Sequence, residues 1–179
     1  MINMNLINFI DPISDLAILA GEAILEVYNS DFEIEEKSDL SPLTEADLRS
    51  HKVIIRGLKS IDPKIPIISE EDNLQNFDKR KNWKRYWLID PLDGTKEFIN
   101  KNGEFTVNIA LIDNNKPVLG VVHVPVSAET YIACQGFGSK KIDSQGIIKT
   151  ISVRKKVNNP IKVIGSRSHR GNSLVRFLD

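Results

Sequence analysis

Cysteine is nearly absent from this sequence, in which Cys134 is the only one. A single cysteine excludes an internal disulfide and a cysteine-based zinc cluster, and it is typical of proteins from a reducing compartment. Histidine is also scarce, with three residues, so the side chains that zinc and copper prefer are few. The sequence therefore predicts a cytoplasmic protein whose fold does not depend on sulfur.

The sequence also lacks an excess of either charge and any long apolar run. Lysine plus arginine number 24, as do aspartate plus glutamate, so bulk charge does not indicate nucleic acid or an anionic membrane as the partner. No segment has the length of a membrane-spanning helix, and residues 1–6 lack the basic and apolar regions of a signal peptide. We expect no integral membrane segment. Peripheral association, on the cytoplasmic face of the inner membrane in a bacterium, stays open, as does the oligomeric state.

Two amphipathic helices are predicted first along the chain. Asp11-Pro12 is typical of a helix start, and apolar side chains then recur at helical spacing as far as Tyr28. A second helix is predicted to begin at Thr44, with an apolar face, and to end near Asp62-Pro63, because the residue before a proline disfavours helix. Each helix has one face suited to burial.

Short β-type runs follow the helices. Strands are predicted at 65–69, 86–90, 105–112, 118–126, 130–134, 147–153 and 161–164. Residues 113–116 form a hairpin turn between two of them. Two helices followed by an antiparallel-looking meander predict a layered α+β domain. We expect this domain to occupy residues 1–157, with a second α/β unit starting in 158–179.

Carboxylates follow two of the predicted strands. Glu70 comes directly after 65–69, Asp90 ends 86–90, and Asp93 lies three residues further on. Pro91 fixes its own φ and Gly94 permits backbone conformations closed to other residues, so Asp90 and Asp93 can fold back toward each other. Hard cations take oxygen ligands, and this set favours Mg²⁺ or Mn²⁺ over zinc or copper.

The same loop is predicted to bind an anion. Thr95 is expected to cap a short helix through Ile99, whose free backbone amides would face a phosphate held by the same metal. Taken singly, Asp-Gly is a common turn signal and Glu70-Glu71-Asp72 is more often a solvated patch. The combination of strand ends, acids and a helix start favours a functional site.

The six residues Asp90-Pro91-Leu92-Asp93-Gly94-Thr95 resemble the Asp-Pro-(Ile/Leu)-Asp-Gly-Thr signature of the lithium-sensitive, magnesium-dependent inositol monophosphatase family. Glu70-Glu71 lies upstream, as that family's Glu-Glu pair does. The longer stretches 87–98 and 102–111 are similar to the bisphosphate nucleotidase branch of the family. Lys96-Glu97-Phe98 is the clue to the branch, because inositol monophosphatases more often have Thr-Asn-Phe there.

The resemblance implies roles for particular residues. Glu70, Asp90, Asp93 and the backbone carbonyl of Leu92 match ligands of two or three Mg²⁺ ions, with Mn²⁺ possible and Li⁺ inhibitory. Substrate contacts are implied for Glu70, Leu92, Asp93, Gly94 and Thr95, with Gly94 and Thr95 at the scissile phosphate.

Two further elements complete the implied site. Thr44-Glu45-Ala46-Asp47 resembles the family's Thr-x-Ala-Asp element, so Asp47 is paired with Thr95 to orient and deprotonate the attacking water. The alternative for Asp47 is a helix-capping role. Ser166 and His169 lie in a Ser-Arg-Ser-His segment that implies contact with the second phosphate of a nucleotide, the alternative being an ordinary polar turn.

The implied fold is that of a sugar phosphatase, and the implied reaction releases the 3′-phosphate of adenosine 3′,5′-bisphosphate, a small phosphorylated nucleotide. The reaction would serve sulfur assimilation or nucleotide recycling.

The family's Trp-Asp-x-Ala element is missing, since Trp83 and Trp87 both precede the metal loop. We therefore expect a chain truncated within its second unit and weakly active or inactive. The alternatives are an inositol or sugar monophosphatase and a non-catalytic module that binds metal or nucleotide.

Overall fold

A computed structural model describes residues 4–30, 42–72, 77–157 and 159–164 of the chain. Its helices are α1 (Met4–Ile7), α2 (Ile10–Tyr28), α3 (Pro42–Ile61), α4 (Phe77–Arg80) and α5 (Thr95–Ile99). Its strands are β1 (Ile67–Ser69), β2 (Arg85–Asp93), β3 (Thr106–Asp113), β4 (Lys116–Val124), β5 (Glu129–Cys134), β6 (Gly138–Ile142) and β7 (Ile148–Ile151).

Helices α2 and α3 pack closely against each other. Small residues on α2, among them Ala17 and Ala20, are fully buried. On α3, Gly57 faces Leu16, and a Cβ at Gly57 would stand 2.3 Å from a methyl carbon of Leu16. The two helices therefore lie close together and form one layer, whose apolar face packs against the sheet.

The described strands form one sheet in the sequential order β1 to β7. The pair β1–β2 is parallel, and every other neighbouring pair is antiparallel. Because side chains alternate between the faces of a strand, Trp87 and Ile89 are buried on the helix side, whereas Leu88 points to the other side and is 44% exposed. A groove of about 730 Å³ on that second face is lined by Leu88, Val122 and Tyr131, and by Glu70 and Asp90.

This architecture confirms the predicted α+β class, with two helices on a largely antiparallel sheet. The first long helix begins at Ile10, one residue from its predicted start. The second long helix starts earlier than predicted. α3 begins at Pro42 and not at Thr44, because proline suits the first helical position, where its missing N–H would have no partner. The short helices α1 and α4 were not predicted.

One strand prediction was wrong, and one strand was not predicted. Residues 161–164 have no regular structure, and Ile161 and Ile164 are 72% and 98% exposed, so no strand in the described ranges pairs with this apolar run. Strand β6 was missed because its sequence is polar. It pairs with β5 on one side and β7 on the other, and its Lys141 ammonium lies 2.5 Å from Glu129 Oε1 on β5.

The proposed division of the chain at residue 157 stays a prediction. Residues 152–157 and 159–164 have no regular structure. Most of the predicted second unit, with Ser166 and His169, lies outside the described residues. Among the residues that the structure describes, no helix combines the length and apolar character that crossing a bilayer requires.

Candidate active site

Parallel pairing of β1 with β2 brings the first two predicted acids together. Ser69 pairs with Ile89, and the backbone N–H of Glu70 donates to the Ile89 carbonyl at 3.2 Å. Because the two strands run parallel, Glu70, directly after β1, lies beside Asp90. The predicted strand 86–90 was too short, since β2 continues through the bulge to Asp93 and Asp90 lies within it.

A β-bulge in β2 separates Asp90 from Asp93. Asp90 pairs with Asn108 and Asp93 with Thr106, so β2 has one more residue than β3 over this stretch. A bulge bends the strand and re-aims its side chains. Leu92, inside the bulge, is 2% exposed, whereas Asp93 is exposed. The bulge thus buries an apolar anchor and directs the next carboxylate outward.

Gly94 sets the start of α5. Its φ of 94° and ψ of 46° lie in the left-handed region, and a Cβ there would stand 3.0 Å from the Glu104 carbonyl oxygen. The expectation that Thr95 caps the helix is wrong. Gly94 occupies the cap, where it has no side chain to bond the helix, and Thr95 is the first helical residue. The left-handed turn that favours glycine takes the capping position, so Thr95 is left exposed beside it.

Asp47 lies on α3 and is only 8% exposed. Within the described part of the chain its Oδ1 has no hydrogen-bond partner. Burial, followed by the charges of Glu71, Asp90 and Glu70, raises the pKa of Asp47 to about 8. The structure therefore brings Asp47 into the same acidic site as the two strand ends.

Asp90 shows the same effect. Burial, followed by the charges of Glu70 and Asp93, raises the pKa of Asp90 to about 7. The site therefore contains an acidic cluster, defined here as Asp47, Glu70, Glu71, Asp90 and Asp93. Glu71 was given no role from the sequence. The Glu-Glu doublet was the available signal, but a doublet does not indicate which side chain faces α3.

The donor set fits a hard divalent cation, because all of it is oxygen. Within the described ranges no group of three or more histidine, cysteine, aspartate or glutamate side chains is already arranged as a metal site. The acids instead raise one another's pKa values, and an unpartnered carboxylate oxygen is buried among them. A bound cation would offset both the repulsion and the unmet hydrogen-bonding capacity.

Comparison with known proteins agrees with this arrangement. The family model described as "Inositol monophosphatase family" matches residues 6–176. The chain is 47% identical over 171 residues to "3'(2'),5'-bisphosphate nucleotidase CysQ" of Escherichia coli strain K12, covering 94% of this chain and 68% of that protein. The relative with the same name in Buchnera aphidicola is 44% identical, with 95% and 63% covered.

A solved structure shares the fold. The crystal structure of CysQ from Bacteroides thetaiotaomicron, described as a bacterial member of the inositol monophosphatase family, is 34% identical with a TM-score of 0.73, covering 94% of this chain and 66% of that one. The chain thus spans about two thirds of the length of these relatives.

An α+β sheet that carries clustered acids beside a glycine-initiated helix, in a chain similar to named nucleotidases, belongs to a class of metal-dependent phosphatases. The chain belongs to the inositol monophosphatase family. Within that family its similarity to proteins named bisphosphate nucleotidase confirms the branch that the Lys96-Glu97-Phe98 segment indicated.

Proposed function

We propose that this chain provides the metal- and phosphate-binding part of a 3′(2′),5′-bisphosphate nucleotidase. The reaction hydrolyses the 3′-phosphate of adenosine 3′,5′-bisphosphate and gives AMP and phosphate. The observation that carries the proposal is the acidic cluster around the β2 bulge, in which Asp47 is buried and its Oδ1 has no partner among the described residues. The names of the relatives supply the substrate class.

Glu70, Asp90, Asp93 and the Leu92 carbonyl would hold the metal, with two or three Mg²⁺ ions proposed, Mn²⁺ as a substitute and Li⁺ as an inhibitor. Bound Mg²⁺ supplies Lewis acidity at the phosphate and lowers the pKa of the attacking water. The chain contributes the geometry. β1 and β2 fix Glu70 beside Asp90, and the bulge directs Asp93 toward the same side.

Asp47 and Thr95 are proposed to act on the attacking water. The Thr95 hydroxyl is exposed at the start of α5, and α3 brings Asp47 to the acidic cluster. Asp47 would orient that hydroxyl and accept the water proton through it.

Phosphate binding is assigned to Gly94 and Thr95. Both residues lie at the start of α5, where the helix dipole favours a bound anion. Ser166 and His169 stay predicted contacts for the second phosphate. The proposed substrate is a small nucleotide and the proposed location is the cytoplasm.

The test is phosphate release from adenosine 3′,5′-bisphosphate with Mg²⁺, in this chain and in one extended at its carboxyl end to the length of the relatives. Asp90→Asn should abolish release, whereas Asp15→Asn, on the exposed side of α2, should not. Inositol 1-phosphate is the comparison substrate. Preferential cleavage of inositol phosphate by the extended protein would overturn the nucleotidase assignment, and binding of nucleotide without turnover would indicate a non-catalytic module.

A further inference from the structure

Two consecutive residues of α3 contact the two separate loops that carry the acids. Ser50 Oγ donates to the Pro91 carbonyl oxygen at 2.8 Å, in the bulge of β2. His51 Nδ1 lies 2.9 Å from Ser69 Oγ, at the end of β1. Since β1 and β2 lead to the two halves of the acidic cluster, α3 is attached to both halves at adjacent positions.

The Ser50 contact satisfies a group that the sheet leaves unpaired. Pro91 is buried and lies within the bulge, where it has no partner residue on β3. A buried carbonyl without a hydrogen bond costs about 1–3 kcal/mol. Ser50 itself is fully buried, in the same helical stripe as Ile54 and Leu58. Packing alone would favour an apolar residue there, so the hydroxyl is explained by its bond to Pro91.

The His51 contact reaches the turn after β1. Ser69 Oγ, which lies against His51, also accepts the backbone N–H of Glu71 at 3.3 Å. The other ring nitrogen, Nε2, is 3.6 Å from Asp72 Oδ1. The imidazole is partly buried, and it thus links α3 to the backbone that presents Glu70 and Glu71.

We propose that Ser50 and His51 are positioning residues, which set the distance between Asp47 and the metal-binding acids. Asp47 is three residues before Ser50 on the same helical face, so a shift of α3 relative to either loop would move Asp47 away from the acidic cluster. Neither residue needs to contact metal or substrate. The inference rests on the proposed function. Its test measures Mg²⁺ affinity and therefore does not require catalytic turnover.

A matched pair of variants tests the Ser50 contribution. Ser50→Thr and Ser50→Val have nearly the same volume, so any overpacking is common to both and only Thr keeps the hydroxyl. We expect Ser50→Val to weaken Mg²⁺ binding, measured by calorimetry, about 10-fold or more, as loss of an outer-shell partner does. Ser50→Thr should bind within a few-fold of the parent. Ser60→Ala, on the exposed side of the same helix, should not change binding.

The companion test uses His51. Asparagine places a polar atom near the Nδ1 position, so His51→Asn should retain more Mg²⁺ affinity than His51→Ala. The activity readout should separate in the same way: the Mg²⁺ concentration for half-maximal rate rises in the deficient variants. Their kcat at saturating Mg²⁺ should also fall, because Asp47 is displaced from the water on which it acts. A lowered unfolding midpoint with unchanged Mg²⁺ affinity would overturn the positioning role and leave a merely structural one.

Failures of the two proposals are distinguishable. If the parent binds Mg²⁺ and Ser50→Val weakens that binding, but no nucleotide is hydrolysed, the positioning role stands and the proposed function fails. If Ser50→Val and Ser50→Thr bind Mg²⁺ equally well while the nucleotide is hydrolysed, the positioning role fails alone. Absence of Mg²⁺ binding by the parent chain would contradict both.

Discussion

Asn108 donates its side-chain amide to Asp93 Oδ2 at 3.3 Å, from the position on β3 directly opposite Asp90. Its own Oδ1 accepts from the Thr106 hydroxyl at 3.2 Å. Two polar side chains of β3 therefore support Asp93, the aspartate on the far side of the bulge. Partners of metal-binding carboxylates fix the orientation of those ligands.

Removing this support should weaken metal binding. In Asn108→Ala, the Asp93 carboxylate loses a donor, and we expect the Mg²⁺ concentration for half-maximal activity to rise about 10-fold. Gln135→Ala, in the exposed turn after β5, is the control. Equal Mg²⁺ titrations for the parent and Asn108→Ala would contradict the role assigned to Asn108.

Gly94→Ala should destabilise the protein by more than its backbone conformation alone requires. A left-handed non-glycine residue costs about 1–2 kcal/mol, and at Gly94 the added Cβ would also press on the Glu104 carbonyl at 3.0 Å. Gly146 is a matched control, with a φ of 77° and nothing within 4 Å of the point that an added Cβ would occupy. The difference between the free energies of unfolding of Gly94→Ala and Gly146→Ala, measured in urea, gives the cost of the contact between the added Cβ and the Glu104 carbonyl. Equal losses of stability in the two variants would show that the close approach costs nothing.

Asp47→Asn should stabilise the chain in the presence of a chelator while abolishing phosphate release. The folded-state pKa of Asp47, about 8, lies above its ordinary value of 3.8. The native state therefore holds the proton more tightly, and the associated stability is present below pH 3.8 and is lost as pH rises through about 8. The variant should gain little near pH 4 and most near pH 8. Unfolding midpoints over that range, with Asp15→Asn as control, measure it, and a gain that does not grow with pH would count against this account.

His123 should make the protein less stable in mild acid. The side chain is 4% exposed, its Nδ1 lies 2.9 Å from Thr130 Oγ1, and its ring packs against Gly21. Burial lowers the pKa of His123 below its ordinary 6.5, so the unfolded chain takes up the proton first. Stability is then complete above pH 6.5 and is lost as pH falls toward the folded-state pKa.

The measurement is thermal unfolding from mild acid to just above neutral pH for the parent and for His123→Asn. The difference between the two curves removes the contribution of the carboxylates, which is common to both. We expect the parent to lose more stability than the variant below pH 6.5. Parallel curves would show that the His123 environment does not favour the neutral ring.

The sequence was most informative where local patterns decide the structure. The six residues from Asp90 to Thr95 contain the acids, the proline and the glycine of the bulge and turn. The sequence therefore predicted a tight, acid-rich turn at this position. The helical stripe of α2 was predictable to within one residue of its start. In both cases the signal lies within a few neighbouring residues.

The remaining features depend on contacts that are distant in sequence. The parallel pairing of β1 with β2 places Ser69 opposite Ile89. The residues of neither strand indicate whether the two strands run parallel or antiparallel. Glu71 enters the site only because α3 faces it, and β6 is positioned by its backbone pairing with β5 and β7 rather than by an apolar pattern of its own. The cap at Gly94 was missed because glycine and threonine both suit a helix N-cap, so their order along the chain does not decide which of the two takes it.

The parallel β1–β2 pair has a consequence for how this scaffold can change. The spacing of Glu70 and Asp90 is fixed by strand register, through Ser69, Ile89 and the bond from Glu70 to Ile89, and not by the chain that runs between the strands. Insertions or deletions within that connection would leave the two carboxylates where they are. The part of the connection beyond Asp72 can therefore change in length while the spacing of the two carboxylates is kept.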